Sequence, residues 1–228
     1  MSEFFKFPRT PHLSWLGDVP ARGDKILSTR ERDAFLARPI VVEEKVDGAN
    51  VGLSCGSGGE IRVQNRGNYL RRGAPAEFQP LWGWLAERRQ LLRDALRDGL
   101  MLFGEWCFAV HSVRYTGLPD WFLGFDVYDP EQGRFFSTAR RDRLLASVRV
   151  TPVPCIGRGR FDVDALVRML QGRRSELGAS APEGFCLRQE SSDWLEARAK
   201  LVAADFVHDI GDHWSRRPLE ANRLEKLE

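Results

Sequence analysis

The sequence predicts an α+β domain of mainly antiparallel sheets flanked by helices, and three observations carry that prediction. Short apolar runs are bounded by Gly-, Asp- and Pro-containing turns. Amphipathic stretches fall between them without a repeating strand–helix–strand rhythm. No internal repeat or low-complexity segment interrupts the pattern. With 228 residues and 43% apolar composition, the chain can bury a substantial core.

The elements follow in order. Ser28-Thr29-Arg30-Glu31 reads as a capping box opening a helix through about Leu36, with Pro39 ending it. Strands at Val41–Lys45 and Asn50–Ser54 are joined through the turn dipeptide Asp47-Gly48. A third strand at Ile61–Asn65 follows the Gly56-Ser57-Gly58-Gly59 turn, so an antiparallel meander is expected. Phe78, Leu81, Trp82, Leu85, Leu92 and Leu96 recur at helical spacing within about Ala76 to Asp98, before the stop at Gly99. Aromatic-rich core strands are expected at Leu100–Val110 and Trp121–Tyr128. Ser137 or Thr138 caps a helix through about Ser147, and Asp162 opens another through about Leu170. Strands at Gly184–Gln189 and Leu195–Val202 close the domain, taken as residues 1–202, and 203–228 form a short helical tail.

Composition narrows the function classes. No apolar run approaches the roughly 20 residues that span a bilayer. The start, Met1-Ser2-Glu3-Phe4-Phe5-Lys6, lacks a charged-then-apolar export signal, so a cytoplasmic protein with no membrane role is expected. Cys55, Cys107, Cys155 and Cys186 form no CxxC pair and read as reduced, mostly buried thiols. His12, His111, His208 and His213 match no metal-ligand spacing. A net charge of +2 does not imply non-specific nucleic-acid binding, although Arg71, Arg72, Arg216 and Arg217 are candidates to track a phosphate backbone.

Only five lysines stand against 29 arginines, so ordinary positive charge is carried by arginine. A lysine is required where an amine must lose its proton and attack, and Lys45 ends an apolar strand in Glu44-Lys45-Val46-Asp47-Gly48-Ala49-Asn50. Alone this motif is weak. Later strands carry polar residues where a plain core strand would not. Arg66 ends the third strand, Glu105 lies between aromatics, Phe125 has Asp126 beside it, Glu183 starts a strand, and Arg198 and Lys200 share one strand face.

This ordered set resembles the collinear motifs of the covalent nucleotidyltransferase superfamily, which contains polynucleotide ligases and mRNA capping enzymes. The lysine motif with Asn50 looks like the RNA ligase 2 type, and the segment His213–Arg223 looks like the small RNA ligases of bacteria. The resemblance implies a nucleotidyltransferase (ligase adenylation) domain in which Lys45 attacks the α-phosphate of ATP. AMP then passes from Lys45 to the 5′-phosphate of an RNA, and a 3′-hydroxyl displaces it. By the same resemblance Arg198 and Lys200 grip the α-phosphate, Glu183 holds Mg²⁺ or Mn²⁺, and Glu105 binds the ribose. Phe125 stacks on the base, Glu44 helps read adenine, and Asn50 and Arg66 orient the phosphates and joining ends. Asp47 has a largely structural part, and His12, in the segment approaching the nucleotide, has no catalytic role. The family usually has lysine where Arg198 stands.

Only 28 residues follow Lys200, which argues against the OB-fold of capping enzymes and ordinary DNA ligases. The expected partner is therefore RNA with 5′-phosphate and 3′-hydroxyl ends, in a repair role beside an end-healing kinase or phosphatase. A minimal ATP-dependent DNA ligase and a non-catalytic nucleic-acid-binding module stay open as alternatives.

Overall fold

Strand β1 (Ile40–Lys45) carries the lysine motif, and its neighbours decide the architecture. In the computed structural model, which describes residues 4–17, 25–179, 181–204, 206 and 218–225, β1 is buried along nearly its whole length. Such a run suits a central strand, and β1 lies between β9 (Cys155–Gly159) and β10 (Gly184–Glu190), with β11 (Leu195–Val202) beyond β10. The second sheet has the order β4 (Tyr69–Leu70), β3 (Ile61–Gln64), β2 (Ala49–Cys55), β5 (Met101–Trp106), β6 (Phe122–Asp129), β7 (Arg134–Phe135). All pairings are antiparallel except that of β8 (Thr151–Pro152) with β6.

The expected meander is corrected at Asp47-Gly48. That dipeptide does not close a hairpin, because β1 pairs with β10 and β9 while β2 pairs with β3 and β5 in the other sheet. Gly48 is where the chain crosses between sheets. A Cβ there would lie 2.8 Å from the Trp106 carbonyl oxygen, so only glycine allows this close approach to β5.

The helices cover the outer faces. Helix α1 (Thr29–Leu36) opens with the capping box of Ser28 and Glu31. Helix α2 (Leu81–Leu96) starts later than expected because Pro80 separates it from a 3₁₀ turn at Ala76–Phe78. Helix α3 (Thr138–Ser147) is capped by Ser137 and α4 (Val163–Gln171) by Asp162. Leu81, Trp84, Leu92 and Leu96 pack on the larger sheet with Val51, Leu53 and Val63. Phe35, Leu166 and Leu170 pack on the smaller sheet with Val42, Phe185 and Leu187. Each such fully buried side chain contributes roughly 1.5–3 kcal/mol relative to exposure.

The tail differs from the expected helix. Ala204 and Phe206 are helical, but 218–225 runs extended, bridging Ala109 through Ala221 and Leu118 through Leu224. His213, Arg216 and Arg217 lie outside the described residues. All four cysteines are free, yet only Cys107 is fully buried and Cys155 is exposed. No helix among the described residues is long and apolar enough to cross a membrane.

The two sheets are tied together by charge. Arg188 on β10 donates to Asp126 on β6 at 2.7 Å, to Glu190 at 2.6 Å and to the Phe136 carbonyl at 2.9 Å. Arg198 on β11 reaches the other Asp126 oxygen at 2.5 Å. Arg141 on α3 pairs with Glu43 on β1 at 2.7 Å, and Arg188 lies 3.8 Å from the other Glu43 oxygen. Removing one partner of such a cluster leaves an uncompensated buried charge, which costs about 3–5 kcal/mol. Arg188→Met should therefore lower unfolding stability in urea by about that amount; a change below about 1 kcal/mol would show that the cluster does not hold the sheets.

Candidate active site

All nine residues singled out in the sequence, Glu44, Lys45, Asn50, Arg66, Glu105, Phe125, Glu183, Arg198 and Lys200, line one cavity of about 1060 Å³ between the sheets. The smaller sheet builds its side by alternation. Cys186 stands opposite Lys200 and Arg188 opposite Arg198 across β10–β11, and Glu43 opposite Cys186 across β1–β10. Residues two apart share a face, so Glu43 and Lys45, Cys186 and Arg188, and Arg198 and Lys200 face inward together. Lys45 pairs with Gly184, immediately after Glu183.

The larger sheet supplies the opposite wall. Asn50 and Glu105 are direct cross-strand partners on β2 and β5, close enough for their side chains to act on one ligand. Phe125 owes its place to a β-bulge: Phe103 pairs with Asp126 and Gly104 with Gly124, so Phe125 is the extra residue. Consecutive residues normally face opposite sides, but the bulge turns both Phe125 and Asp126 toward the cavity. The Phe125 carbonyl accepts from Arg141 at 2.8 Å, and its ring meets Phe7 edge-on at 5.3 Å. Arg66 is presented by a turn in which Asn65 Oδ1 accepts from the amides of Gly67 and Asn68 at 2.9 and 2.8 Å.

At the base of the cavity Lys45 Nζ donates to Glu183 Oε2 at 2.6 Å, with the side chains 24% and 16% exposed. Burial pulls the ammonium pKa down, but the charges of Glu183, Cys186 and Glu105 outweigh it, leaving it above the ordinary lysine value. Burial likewise raises Glu183, partly offset by Lys45 and Lys200. Glu105 is raised to about 8, first by burial and then by Glu183 and Asp47, against the opposing pull of Lys45 and Arg66. Its Oε2 is buried and lacks a hydrogen-bond partner among the described residues. A buried acceptor in that condition costs free energy until a donor arrives, and a ligand hydroxyl is such a donor.

Asp47 has the structural part expected of it. Its Oδ2 accepts from the amides of Ser112 and Val113 at 2.6 and 2.8 Å, and its own amide donates to the Tyr115 hydroxyl at 2.8 Å. Glu44 and Arg198 each have protein partners of their own. The Glu44 carboxylate accepts from Ser175 Oγ at 2.5 Å and the Glu176 amide at 2.9 Å. Alternation along β1 places the Glu44 side chain with Val42, where it anchors the loop that carries Ser175 and Glu176. Arg198 lines the cavity, but its guanidinium is engaged by Asp126 and lies over the rings of Phe135 (4.2 Å) and Phe7 (5.0 Å). Sequence reasoning missed Arg188, Tyr115, Ser175, and the His111–Glu77 pair at 3.2 Å on the cavity wall. Arg188 carried a signal, an arginine inside an apolar strand; the others had none.

The fold is shared with known proteins. The family model for RNA ligase matches residues 38–202, and the chain belongs to that family. A Naegleria gruberi RNA ligase, in an arginine-to-alanine variant solved with ATP and Mn, aligns with a TM-score of 0.63 at 16% identity, covering 92% of this chain and 59% of that one. The same ligase solved with PPi gives 0.58 at 18% identity, covering 92% and 65%. A lysine-to-methionine variant with AMP and Mn gives 0.58 at 17%, again covering 92% and 65%. At these identities the likeness establishes the nucleotidyltransferase fold. This chain spans 54 to 65% of the length of the Naegleria chains named here and of the same ligase's glutamate-to-alanine variant. No curated protein matches the sequence.

The Glu105 shift makes a pH prediction. Its folded pKa of about 8 lies above the ordinary 4.5, so the folded protein holds this proton more tightly than the unfolded chain. The contribution to stability is complete below about 4.5 and is lost as pH rises through about 8. Across that window, denaturant titrations should show stability falling more steeply with pH in wild type than in Glu105→Gln; equal slopes would contradict the shift.

Proposed function

We propose that this chain is an ATP-dependent RNA ligase that joins 5′-phosphate and 3′-hydroxyl RNA ends through AMP carried on Lys45. The observation that carries the reading is Lys45 Nζ, 2.6 Å from Glu183, in a cavity whose far wall presents the unpartnered Glu105 carboxylate oxygen. Nζ attacks the α-phosphorus only as the free amine. The bond to pyrophosphate breaks as the N–P bond forms, and the ammonium proton must leave first. The Glu183 carboxylate, accepting from Nζ, keeps that proton on the ammonium as the side chains stand, so drawing its charge away loosens the proton, which passes to water and leaves the free amine.

Glu183 and Asp47, whose charges both act on Glu105, make the base of the cavity acidic. An anionic phosphate approaches only if that charge is compensated, and Lys200 and Arg66 supply part of it. No group of three or more His, Cys, Asp or Glu side chains able to hold a metal occurs among the described residues, so a cation here would rest on Glu183 and the nucleotide phosphates, as Mg²⁺ usually does. Bound there, Mg²⁺ or Mn²⁺ would draw the Glu183 charge from Nζ and neutralise the transferring phosphate. Phe125 offers its ring to the base, Glu105 accepts from the ribose, and Asn50 and Arg66 contact the phosphates. A kinase or phosphatase that heals RNA ends is the class of enzyme that would supply this substrate, in a repair role.

Sealing assays test this reading. Lys45→Ala should lose joining with ATP and 5′-phosphate RNA at least a hundredfold, yet join 5′-adenylated RNA, because that substrate already carries the AMP. Equal loss on both substrates, or none, would contradict a lysine-borne AMP. Strands ending in a ribose 3′-hydroxyl should be joined in preference to deoxyribose ends; the reverse order would favour the DNA ligase alternative.

A further inference from the structure

We infer that Asn222 is a positioning residue for the Lys45 motif, acting through the loop 107–118, and that the extended segment 218–225 is part of the active-site framework. Asn222 is 3% exposed, and its side chain is fully employed. Its Oδ1 accepts from the Tyr115 amide at 2.8 Å, and its Nδ2 donates to the carbonyls of Cys107 and Ala109 at 2.8 and 3.1 Å. The backbone repeats the grip, with the Asn222 amide donating to Phe108 and the Arg223 amide to Tyr115 at 2.9 and 3.0 Å. One amide side chain thus fixes both ends of a loop that has no regular secondary structure of its own.

The other side of that loop holds Asp47. Ser112 and Val113 donate their amides to its carboxylate, and the Tyr115 hydroxyl accepts its amide. Tyr115 is fully buried and joins the two halves, with its backbone on Asn222 and its hydroxyl on Asp47. Asp47 lies two residues from Lys45, at the crossing from the smaller sheet to the larger. Between them only Val46 intervenes, itself packed against Cys107 and Tyr115. Displacing the loop must therefore tilt the end of β1 that aims Nζ. Asn222 touches neither ATP nor RNA in this account, and the cost of losing it should fall on the attack rather than on nucleotide binding.

The inference rests on the proposed lysine chemistry, so its test carries a second readout that does not. Asn222→Ala should slow single-turnover AMP attachment at saturating ATP by at least tenfold, with the ATP concentration for half-maximal rate changed less than about twofold. Tyr115→Phe, which keeps the packing and removes only the hydroxyl, should slow it in the same sense. Combined with Asp47→Ala, Asn222→Ala should add little further loss, because both act through one loop. Independently of activity, Asn222→Ala should speed hydrogen exchange at the Ser112 and Val113 amides while leaving the β10 amides protected. Exchange at 112–113 equal to wild type would overturn the coupling, whether or not the protein accepts AMP. Additive losses in the double variant, or a purely ATP-affinity effect, would overturn the positioning role. If wild type takes no AMP while the exchange change is seen, the ligase reading fails and the structural coupling stands.

Discussion

Asp126 accepting Arg188 and Arg198 from the opposite sheet is the interaction on which the rest of the molecule depends. A cavity of this size between two sheets removes the apolar contact that would otherwise hold their inner faces together. Charge takes over that task. Taking these ions out of water is expensive, and the net stabilisation of a complete cluster is small, but any incomplete arrangement is far worse. The cluster therefore selects one relation between the sheets more than it adds stability. Its members also reach the site directly: the Phe125 carbonyl, at the bulge, accepts from Arg141, and Arg198 sits on the strand that carries Lys200.

This arrangement divides labour between the faces of each sheet. Outer faces are apolar and covered by helices, while inner faces carry the charges beside the buried cluster of Phe7, Met101 and Phe103. Lys45 and Glu183 hold each other in a stable pair, Glu105 is held toward its neutral form by burial, and Asp47 spends its carboxylate on a loop. Each carboxylate thus has a separate environment, which is how chemically similar groups come to serve as counter-ion, acceptor and brace. The departure at Arg198 fits the same logic, since a planar guanidinium can bond Asp126 and lie on two aromatic rings at once, which an ammonium cannot.

Much of the fold was legible in the sequence because its signals are local. The Ser28–Glu31 capping box, the Ser137 and Asp162 caps and the apolar runs of β1, β10 and β11 all fall where the pattern places them. The gathering of nine residues around one cavity followed from motif order. What failed was partner choice, which is not local. Asp47-Gly48 has the chemistry of a hairpin turn, yet Gly48 serves a close backbone crossing, and nothing in the lysine motif says that β1 pairs with residues more than a hundred positions away. The commitment of Glu44 to Ser175 and Glu176 was hidden for the same reason, as was the tail's extended course beside residues 107–118.

In the proposed mechanism Lys45, and no other group, accepts AMP. Incubating the full chain with ATP and Mg²⁺, digesting it and locating the nucleotide by fragmentation mass spectrometry tests it most directly. AMP is expected in an acid-labile bond on the amine of Lys45, lost when pyrophosphate is added back. AMP on a different residue, or an unmodified Lys45 under conditions where the protein seals RNA, would contradict it.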